Sequence, residues 1–149
     1  MKKQLKKVLV IGSLLLLSST SVFAANYLSV SVDNANVRTG PGSKYPVTME
    51  LFQGYPLKIT KTQGEWHKVT DYENDSGWIH KSIVKSRNTV IVNARKSLNM
   101  RSGPSTKDTI VADVERGVVL TKLSTQGKWT KVRHSTGTVG WIYSTLLWP

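Results

Sequence analysis

Side chains that can act as nucleophiles, acid–base groups or soft metal ligands are sparse in this sequence. The chain has no cysteine, which excludes a thiolate nucleophile and a thiolate metal site. Its three histidines, His67, His80 and His134, do not fall at the spacing of metal ligands. No nucleophile and base come together in a recognisable pattern. The sequence therefore predicts a protein that is not an enzyme, with no catalytic residue and no cofactor.

A short acidic cluster, formed by Asp71, Glu73 and Asp75, offers the oxygen ligands that a hard cation prefers. The cluster lies in the loop before Gly77, and it is missing from the second of the two repeats described below. A solvated hairpin is therefore favoured over a cation site, and no metal site is predicted.

Aromatic side chains give the sequence its main capacity for binding. Trp78 and Trp141 are predicted to lie in the core, because large aromatic side chains dominate the packing of small domains. Trp66 and Trp129 each follow a glycine turn, and a core position and a groove-rim position remain open for them. Paired aromatic side chains can form a groove that holds an extended ligand.

Two arginines, Arg38 and Arg101, stand at corresponding places after a predicted strand. The favoured interpretation is that each ties down its loop by donating hydrogen bonds to carbonyl groups. The alternative is that its planar fork binds a ligand carboxylate. Tyrosines in loops or at strand ends are further candidates for contact. The candidate ligand-binding residues are therefore Arg38, Tyr45, Trp66 and Tyr72 in the first half of the chain, and Arg101, Trp129 and Tyr143 in the second.

A repeat with an offset of 63 residues organises these positions. Residues 36–41, 62–69 and 77–79 recur as residues 99–104, 125–132 and 140–142, with no insertion or deletion between the first and last match. Gly54 and Leu57 recur as Gly117 and Leu120 in the same register. Chance does not produce this agreement, so two copies of one unit are predicted.

Each unit has the pattern of several short strands. Apolar and polar residues alternate in 47–51 and in 110–114, as they do in half-buried strands. Glycines such as Gly54 and Gly64 mark the turns between strands. No segment has a helical period of useful length. Many short strands separated by glycine turns predict an all-β fold, with a small sandwich or barrel in each unit.

The ordered motifs resemble those of one known family. Asn-Val-Arg-x-Gly-Pro at 36–41, Gly-x-Trp-x-Lys-Val at 64–69 and Gly-Trp-Ile at 77–79 are similar to the bacterial SH3 domain (SH3b). With the second copies, the resemblance covers nearly all of the chain after residue 24. It implies two tandem SH3-like small β-barrels of five or more short strands each. It also implies an envelope setting. SH3b domains are often attached to a peptidase or amidase, and we expect this sequence to contain the binding part alone.

The first 24 residues have the pattern of a secretory signal peptide. Lysines precede an apolar segment at 8–17, which is too short to span ~30 Å of hydrocarbon, and Val22 and Ala24 suit a cleavage site. We expect cleavage after Ala24, export to the periplasm or cell exterior, and no transmembrane segment after cleavage. The expected organisation is a signal peptide at 1–24, SH3b domain 1 at 25–84, a linker at 85–89 and SH3b domain 2 at 90–149.

The positive charge is concentrated in the second domain. The formal net charge of the whole chain is +12. Residues 25–84 hold six basic and six acidic side chains, whereas residues 85–149 hold eleven basic and three acidic ones and so carry +8. Outside the cytoplasm a basic surface meets anionic envelope polymers or lipid head groups rather than nucleic acid.

Two binding functions remain open at this point. The favoured one is binding of cell-wall peptidoglycan or another envelope component, because two modest sites on a short link raise avidity. The basic second domain would add contact with an anionic envelope polymer. The alternative is a protein–protein interaction adaptor that binds an envelope enzyme, a secreted partner or a peptide through the same grooves.

Overall fold

The computed structural model describes residues 26–149, which form two antiparallel β-sheets in succession along the chain. The strands of the first module are β1 (Tyr27–Val30), β2 (Ala35–Arg38), β3 (Val47–Leu51), β4 (Pro56–Gln63), β5 (Trp66–Thr70), β6 (Ser76–His80) and β7 (Val84–Lys85). Those of the second module are β8 (Thr89–Val92), β9 (Ser97–Arg101), β10 (Ile110–Glu115), β11 (Val119–Gln126), β12 (Trp129–Arg133), β13 (Val139–Tyr143) and β14 (Leu147–Trp148). The predicted all-β tandem is confirmed. The predicted signal peptide at 1–24 lies outside the described residues.

The two sheets have the same topology. Their strand orders are β3-β2-β6-β5-β4-β1-β7 and β10-β9-β13-β12-β11-β8-β14, so each strand of one module has a counterpart in the other. A single 3-10 turn, Lys81–Ile83 in the first module and Ser144–Leu146 in the second, precedes the last strand. Within the described residues, no helix is long and apolar enough to cross a membrane.

The core of each module is aliphatic. Fully buried side chains alternate along the strands, as Ala35 and Val37 do on β2, and Leu98 and Met100 do on β9. Ile79 and Ile142 fill the corresponding places on β6 and β13. Burying an aliphatic side chain of this size stabilises the fold by about 1.5–3 kcal/mol. These side chains provide the stability that disulfides give to many small exported domains.

The prediction that Trp78 and Trp141 lie in the core is wrong. Both side chains are only half-buried and belong to neither core cluster. Successive side chains on a strand point to opposite faces of the sheet, and the inward positions of β6 and β13 are taken by the isoleucines that follow the tryptophans. The tryptophans therefore face outward.

Strand β8 is buried on both of its faces and joins the two modules. Val90 and Val92 pack in the core of the second module, whereas Ile91, between them, is 0% exposed and packs in the core of the first. Val119 and Trp148 of the second module also pack against the first core. The modules therefore share apolar packing.

Polar contacts surround this shared packing. The Thr89 hydroxyl donates to the Gly54 carbonyl at 2.7 Å, and Ser29 hydrogen-bonds the Thr89 hydroxyl at 2.6 Å. The Tyr27 and Trp148 rings meet edge to face with centroids 5.5 Å apart. These short, partly buried hydroxyl bonds help to fix how the two modules pack, because a hydroxyl left without a partner there would cost free energy.

Candidate ligand-binding face

In the second module, the outer side of strands β9, β13 and β12 carries a continuous row of large side chains. Arg101 pairs with Trp141, and Trp141 pairs with Lys131, so these three residues lie side by side across three strands. Directly opposed residues of antiparallel strands share a face of the sheet. Trp129 and Tyr143 form a second opposed pair on the same face.

The first module repeats this arrangement with one change. Arg38 pairs with Trp78, and Trp78 pairs with Lys68. Trp66 pairs with His80, which takes the place of Tyr143. We call these two surfaces the outer aromatic faces; their residues are Arg38, Trp66, Lys68, Trp78 and His80 in the first module, and Arg101, Trp129, Lys131, Trp141 and Tyr143 in the second.

The aromatic pairs have defined geometries. Trp129 and Tyr143 meet edge to face, with ring centroids 5.5 Å apart and planes at 80°. Trp66 and His80 meet in the same way at 5.2 Å and 86°. The Lys131 ammonium lies 5.9 Å from the centroid of the Trp141 ring, within the range of a cation–π contact. All four tryptophans of the faces are half-buried, so each leaves part of a rigid ring open for a ligand.

A concave site of about 380 Å³ lies on the outer aromatic face of the second module. Its lining includes Arg101, Trp129 and Tyr143, together with Asn99 and Leu146. The structure therefore brings together the three candidate residues predicted in this module. The volume falls within the range of small-ligand sites, roughly 300–1,000 Å³.

Arg38 and Arg101 both tie down the loop that follows their strand. The Arg38 Nη1 donates to the Tyr45 carbonyl at 2.8 Å, and the Arg101 Nη1 donates to the Asp108 carbonyl at 2.9 Å. Each bond uses one of the five N–H donors of a guanidinium. The remaining donors are compatible with a bound carboxylate, and ligand contact by the two arginines stays a prediction.

Tyr45 packs within its own loop rather than beside Trp66. A Cβ atom added at Gly40 would lie 2.6 Å from the Tyr45 ring, so the glycine allows the ring to lie flat on the loop. The Lys44 ammonium lies 5.4 Å from the ring centroid. In the second module Asp108 occupies this place against Gly103.

Tyr72 lies at the junction of the modules and not in a groove with Trp66. The Arg116 guanidinium of the second module lies 5.0 Å from its ring centroid. Arg116 also pairs with Glu73 at 3.3 Å. Burial and the nearby Glu73 carboxylate raise the pKa of Tyr72 above its usual value, and Arg116 opposes the effect. The surroundings of Tyr72 thus differ from those of the other candidate residues.

The acidic cluster is built into the turn between β5 and β6. Asp71 is 4% exposed, and its Oδ1 accepts hydrogen bonds from the backbone N–H groups of Glu73 and Asp75, both at 2.9 Å. Its Oδ2 accepts a hydrogen bond from the Tyr55 hydroxyl at 3.0 Å. The prediction of a solvated hairpin is therefore wrong for Asp71, which holds the turn together. Within residues 26–149, no three His, Cys, Asp or Glu side chains are grouped as they would be around a metal ion.

The three histidines bond to nearby hydroxyls. His67 Nδ1 lies 2.7 Å from Thr62 Oγ1, and His134 Nδ1 lies 2.8 Å from Thr136 Oγ1. Burial, and then the charge of Lys81, lower the pKa of His67 below its usual value. His80 Nδ1 lies 2.7 Å from Ser82 Oγ at the start of the 3-10 turn. That bond orients the ring against Trp66.

Sequence reasoning missed part of both outer aromatic faces. Trp78 and Trp141 were predicted to be buried, and Lys68, Lys131 and His80 were not among the candidate residues. The available signal is the repeated Trp-x-Lys segment, which places an aromatic and a cationic side chain on the same side of a strand.

The fold and these faces define a class of protein: a tandem of small β domains that presents a similar cationic and aromatic surface twice. The sequence profile described as the bacterial SH3 domain matches residues 31–85 and residues 94–149. The chain belongs to the bacterial SH3 domain family, which its motifs indicated.

Two similar curated proteins are amidases by name. The putative N-acetylmuramoyl-L-alanine amidase YrvJ of Bacillus subtilis is 26% identical over 125 residues, which cover 77% of this chain and 24% of that protein. The probable cell wall amidase LytH of Staphylococcus aureus is 38% identical over 66 residues, which cover 44% of this chain and 22% of that protein. The chain thus spans about a quarter of the length of these relatives. Among solved structures, similarity to NlpC2 of Trichomonas vaginalis is weak, with a TM-score of 0.39 and 15% identity over 83% of this chain and 48% of that one.

Proposed function

We propose that the outer aromatic faces bind cell-wall peptidoglycan and that this chain acts in the cell envelope as a binding protein without catalysis. The observation that carries the proposal is the repetition of one surface on both modules, an arginine, a lysine and two tryptophans in the same register. Named cell-wall amidases share SH3 sequence with this chain, which supports a wall ligand.

The chemistry of the faces suits a polymer of sugars and short peptides. A half-open tryptophan ring offers an apolar plane on which the C–H side of a sugar ring can stack. Lysine and arginine beside it bind carboxylates, and an arginine fork does so with two parallel hydrogen bonds. Two such faces on one molecule raise the avidity for a repeating polymer well above the affinity of either face alone.

Sedimentation with purified insoluble sacculi tests the proposal. The wild-type protein is expected to pellet with sacculi, and the double variant Trp66→Ala/Trp129→Ala is expected to lose at least about tenfold in affinity, as aromatic contact residues do. Leu123→Ala is the matched control, because it removes an exposed apolar side chain on β11 outside the faces. A wild-type protein that stays soluble would contradict wall binding and favour the adaptor function.

The single variant Trp141→Ala separates binding from folding. Ile142, and not Trp141, fills the core, so the variant is expected to stay folded while its affinity for sacculi falls. Circular dichroism melting gives the folded state, and sedimentation gives the affinity. Sedimentation at raised salt then measures how much the charge of the second module contributes to binding, because screening weakens exposed ionic contacts. The assignment to the outer aromatic faces would be overturned if modest salt abolished binding and Trp141→Ala left the affinity for sacculi unchanged.

A further inference from the structure

A cleft of about 550 Å³ lies where the two modules meet, apart from the outer aromatic faces. Its lining includes the first module's turn from Phe52 to Gly54 and residues 117–121 of the second module. Arg87, which lies between β7 and β8, and residues 133–135 of the second module complete the lining. The predicted linker at 85–89 is shorter in the structure, because Lys85 belongs to β7 and Thr89 to β8. The cleft has no counterpart within a single module, since both modules and the connector form it.

The strand register explains how the floor of the cleft is formed. Thr89 pairs with Thr121, and Thr121 pairs with Arg133, so the three residues lie in a row on the outer side of β8, β11 and β12. Thr89 begins this row at the junction, where its hydroxyl bonds Gly54. Arg133, whose side chain is exposed, ends the row. Ile91, two residues after Thr89 on β8, packs in the core of the first module and anchors this strand there.

The lining has the character of a site for an amphipathic anion. Arg87, Arg133 and His134 supply cationic or hydrogen-bonding groups, and none of the lining residues is an Asp or a Glu. Within residues 26–149 the structure records one ion pair, Arg116 with Glu73, so the two arginines of the cleft are not neutralised by a carboxylate. Phe52 is 48% exposed, and Val118 and Val119 add apolar surface to the lining.

We infer that this inter-module cleft is a second binding site, which takes a short acidic peptide whose carboxylates alternate with aliphatic side chains. The two arginines bind the carboxylates, and Phe52 with the valines covers the aliphatic groups. The Phe52 ring packs edge to face on Tyr55, with centroids 5.4 Å apart, and Phe52 is still 48% exposed. A phosphate polymer would satisfy the arginines but leave this exposed apolar surface uncovered. The cleft shares no lining residue with the outer aromatic faces, although Arg133 lies two residues beyond Lys131 on the same side of β12.

Titration of the isotope-labelled full chain with a defined peptide tests the inference. The peptide is an acetylated hexamer of alternating leucine and glutamate, and amide chemical shifts report where it binds. Shifts are expected at residues 52–54, 117–121 and 133–135. Replacing glutamate by glutamine in the peptide is expected to weaken binding at least about tenfold, the usual loss for charge-assisted hydrogen bonds.

Matched variants of the protein complete the test. Arg87→Gln/Arg133→Gln is expected to weaken peptide binding at least about tenfold, whereas Lys107→Gln/Lys128→Gln, with the same change of charge at exposed positions outside the cleft, is expected to bind normally. Trp66→Ala/Trp129→Ala is also expected to bind the peptide normally, so failure of the wall-binding proposal and failure of this one are distinguishable. Unchanged binding by the arginine variant, shifts confined to the outer aromatic faces, or tighter binding of tripolyphosphate to the same residues would each overturn the inference.

Discussion

At the scale of single residues, the pair formed by Tyr55 and Asp71 shows how one buried carboxylate supports the first module. Asp71 accepts three hydrogen bonds, two from the backbone of its own turn and one from Tyr55. Tyr55 is 8% exposed, and burial together with the adjacent Asp71 charge raises the pKa of its hydroxyl far above the usual value. A tyrosinate at this place would face a carboxylate without solvent to screen it.

This pair predicts a loss of stability in alkali. Above pH ~10 the unfolded chain releases the Tyr55 proton, whereas the folded chain retains it. The folded state then binds more protons, so the free energy of unfolding falls as pH rises, by at most about 1.4 kcal/mol per pH unit from this group. The contribution of Tyr55 to the free energy of unfolding is fully present below pH ~10.

Urea unfolding between pH 8 and pH 11 measures the effect. Tyr55→Phe is expected to reduce the fall of the unfolding free energy with pH, because the titrating hydroxyl is gone. It is also expected to lower that free energy by about 1–3 kcal/mol at pH 8, because Asp71 Oδ2 loses its hydrogen-bond donor. Tyr27→Phe, at a tyrosine that is 38% exposed, is the control and is expected to keep the wild-type slope. An equal slope in wild type and Tyr55→Phe would exclude Tyr55 as its source.

At the scale of strands, a glycine allows β2 and β6 to approach closely. A Cβ atom added at Gly77 would lie 2.4 Å from Val37 Cγ1 and 3.0 Å from the Arg38 carbonyl oxygen. Its counterpart Gly140 is equally crowded by Met100 and the Arg101 carbonyl. Side chains can rotate away, but a backbone carbonyl cannot, so any larger residue separates the strands. The glycine thereby sets the spacing at which Arg38 and the following tryptophan lie side by side.

Gly77→Ala is therefore expected to lower the free energy of unfolding by about 1–3 kcal/mol, the usual cost of overpacking. Gly42→Ala is the matched control in the same module, because its Cβ would meet the Tyr45 ring at an ordinary 3.4 Å. Urea unfolding of both variants measures the difference. Equal stabilities for the two variants would show that the strands can separate at no cost.

The same strands show what the sequence could and could not predict. The 63-residue register predicted two equal β units, because glycine turns and alternating apolar residues are local signals. It did not predict the direction of Trp78, because Trp78 and Ile79 are both apolar and either can be the inward residue. Packing against β2 determines which of the two points inward. The side of β6 on which Gly77 meets Val37 faces the core, and Ile79 lies on that same side, so Trp78 points outward. The sequence did not predict that Tyr72 lies at the junction of the modules. Its partner Arg116 belongs to the second module, and no local sequence pattern indicates a contact between modules.

At the scale of the whole molecule, strand β8 makes the first module dependent on the second. Its alternate side chains enter different cores, with Ile91 in the first and Val90 and Val92 in the second. The counterpart of Ile91 in β1 of the first module is Ser29. Ser29 pairs with Pro56 on β4, just as Ile91 pairs with Val119 on β11. The exchange of packing is therefore one-sided: the second module completes the core of the first.

Ile91→Ala is accordingly expected to destabilise the first module. Removing a fully buried isoleucine costs about 2–5 kcal/mol, and the cavity opens in the core of the first module although the residue belongs to a strand of the second. Val90→Ala is the matched control on the same strand, since Val90 packs in the second core alone. Native-state hydrogen exchange measures the protection of backbone amides in each module separately. Faster exchange of first-module amides, in β4 and β6, is expected for Ile91→Ala and not for Val90→Ala. If both variants left those amides protected to the same extent, the first module would not depend on Ile91 for its stability.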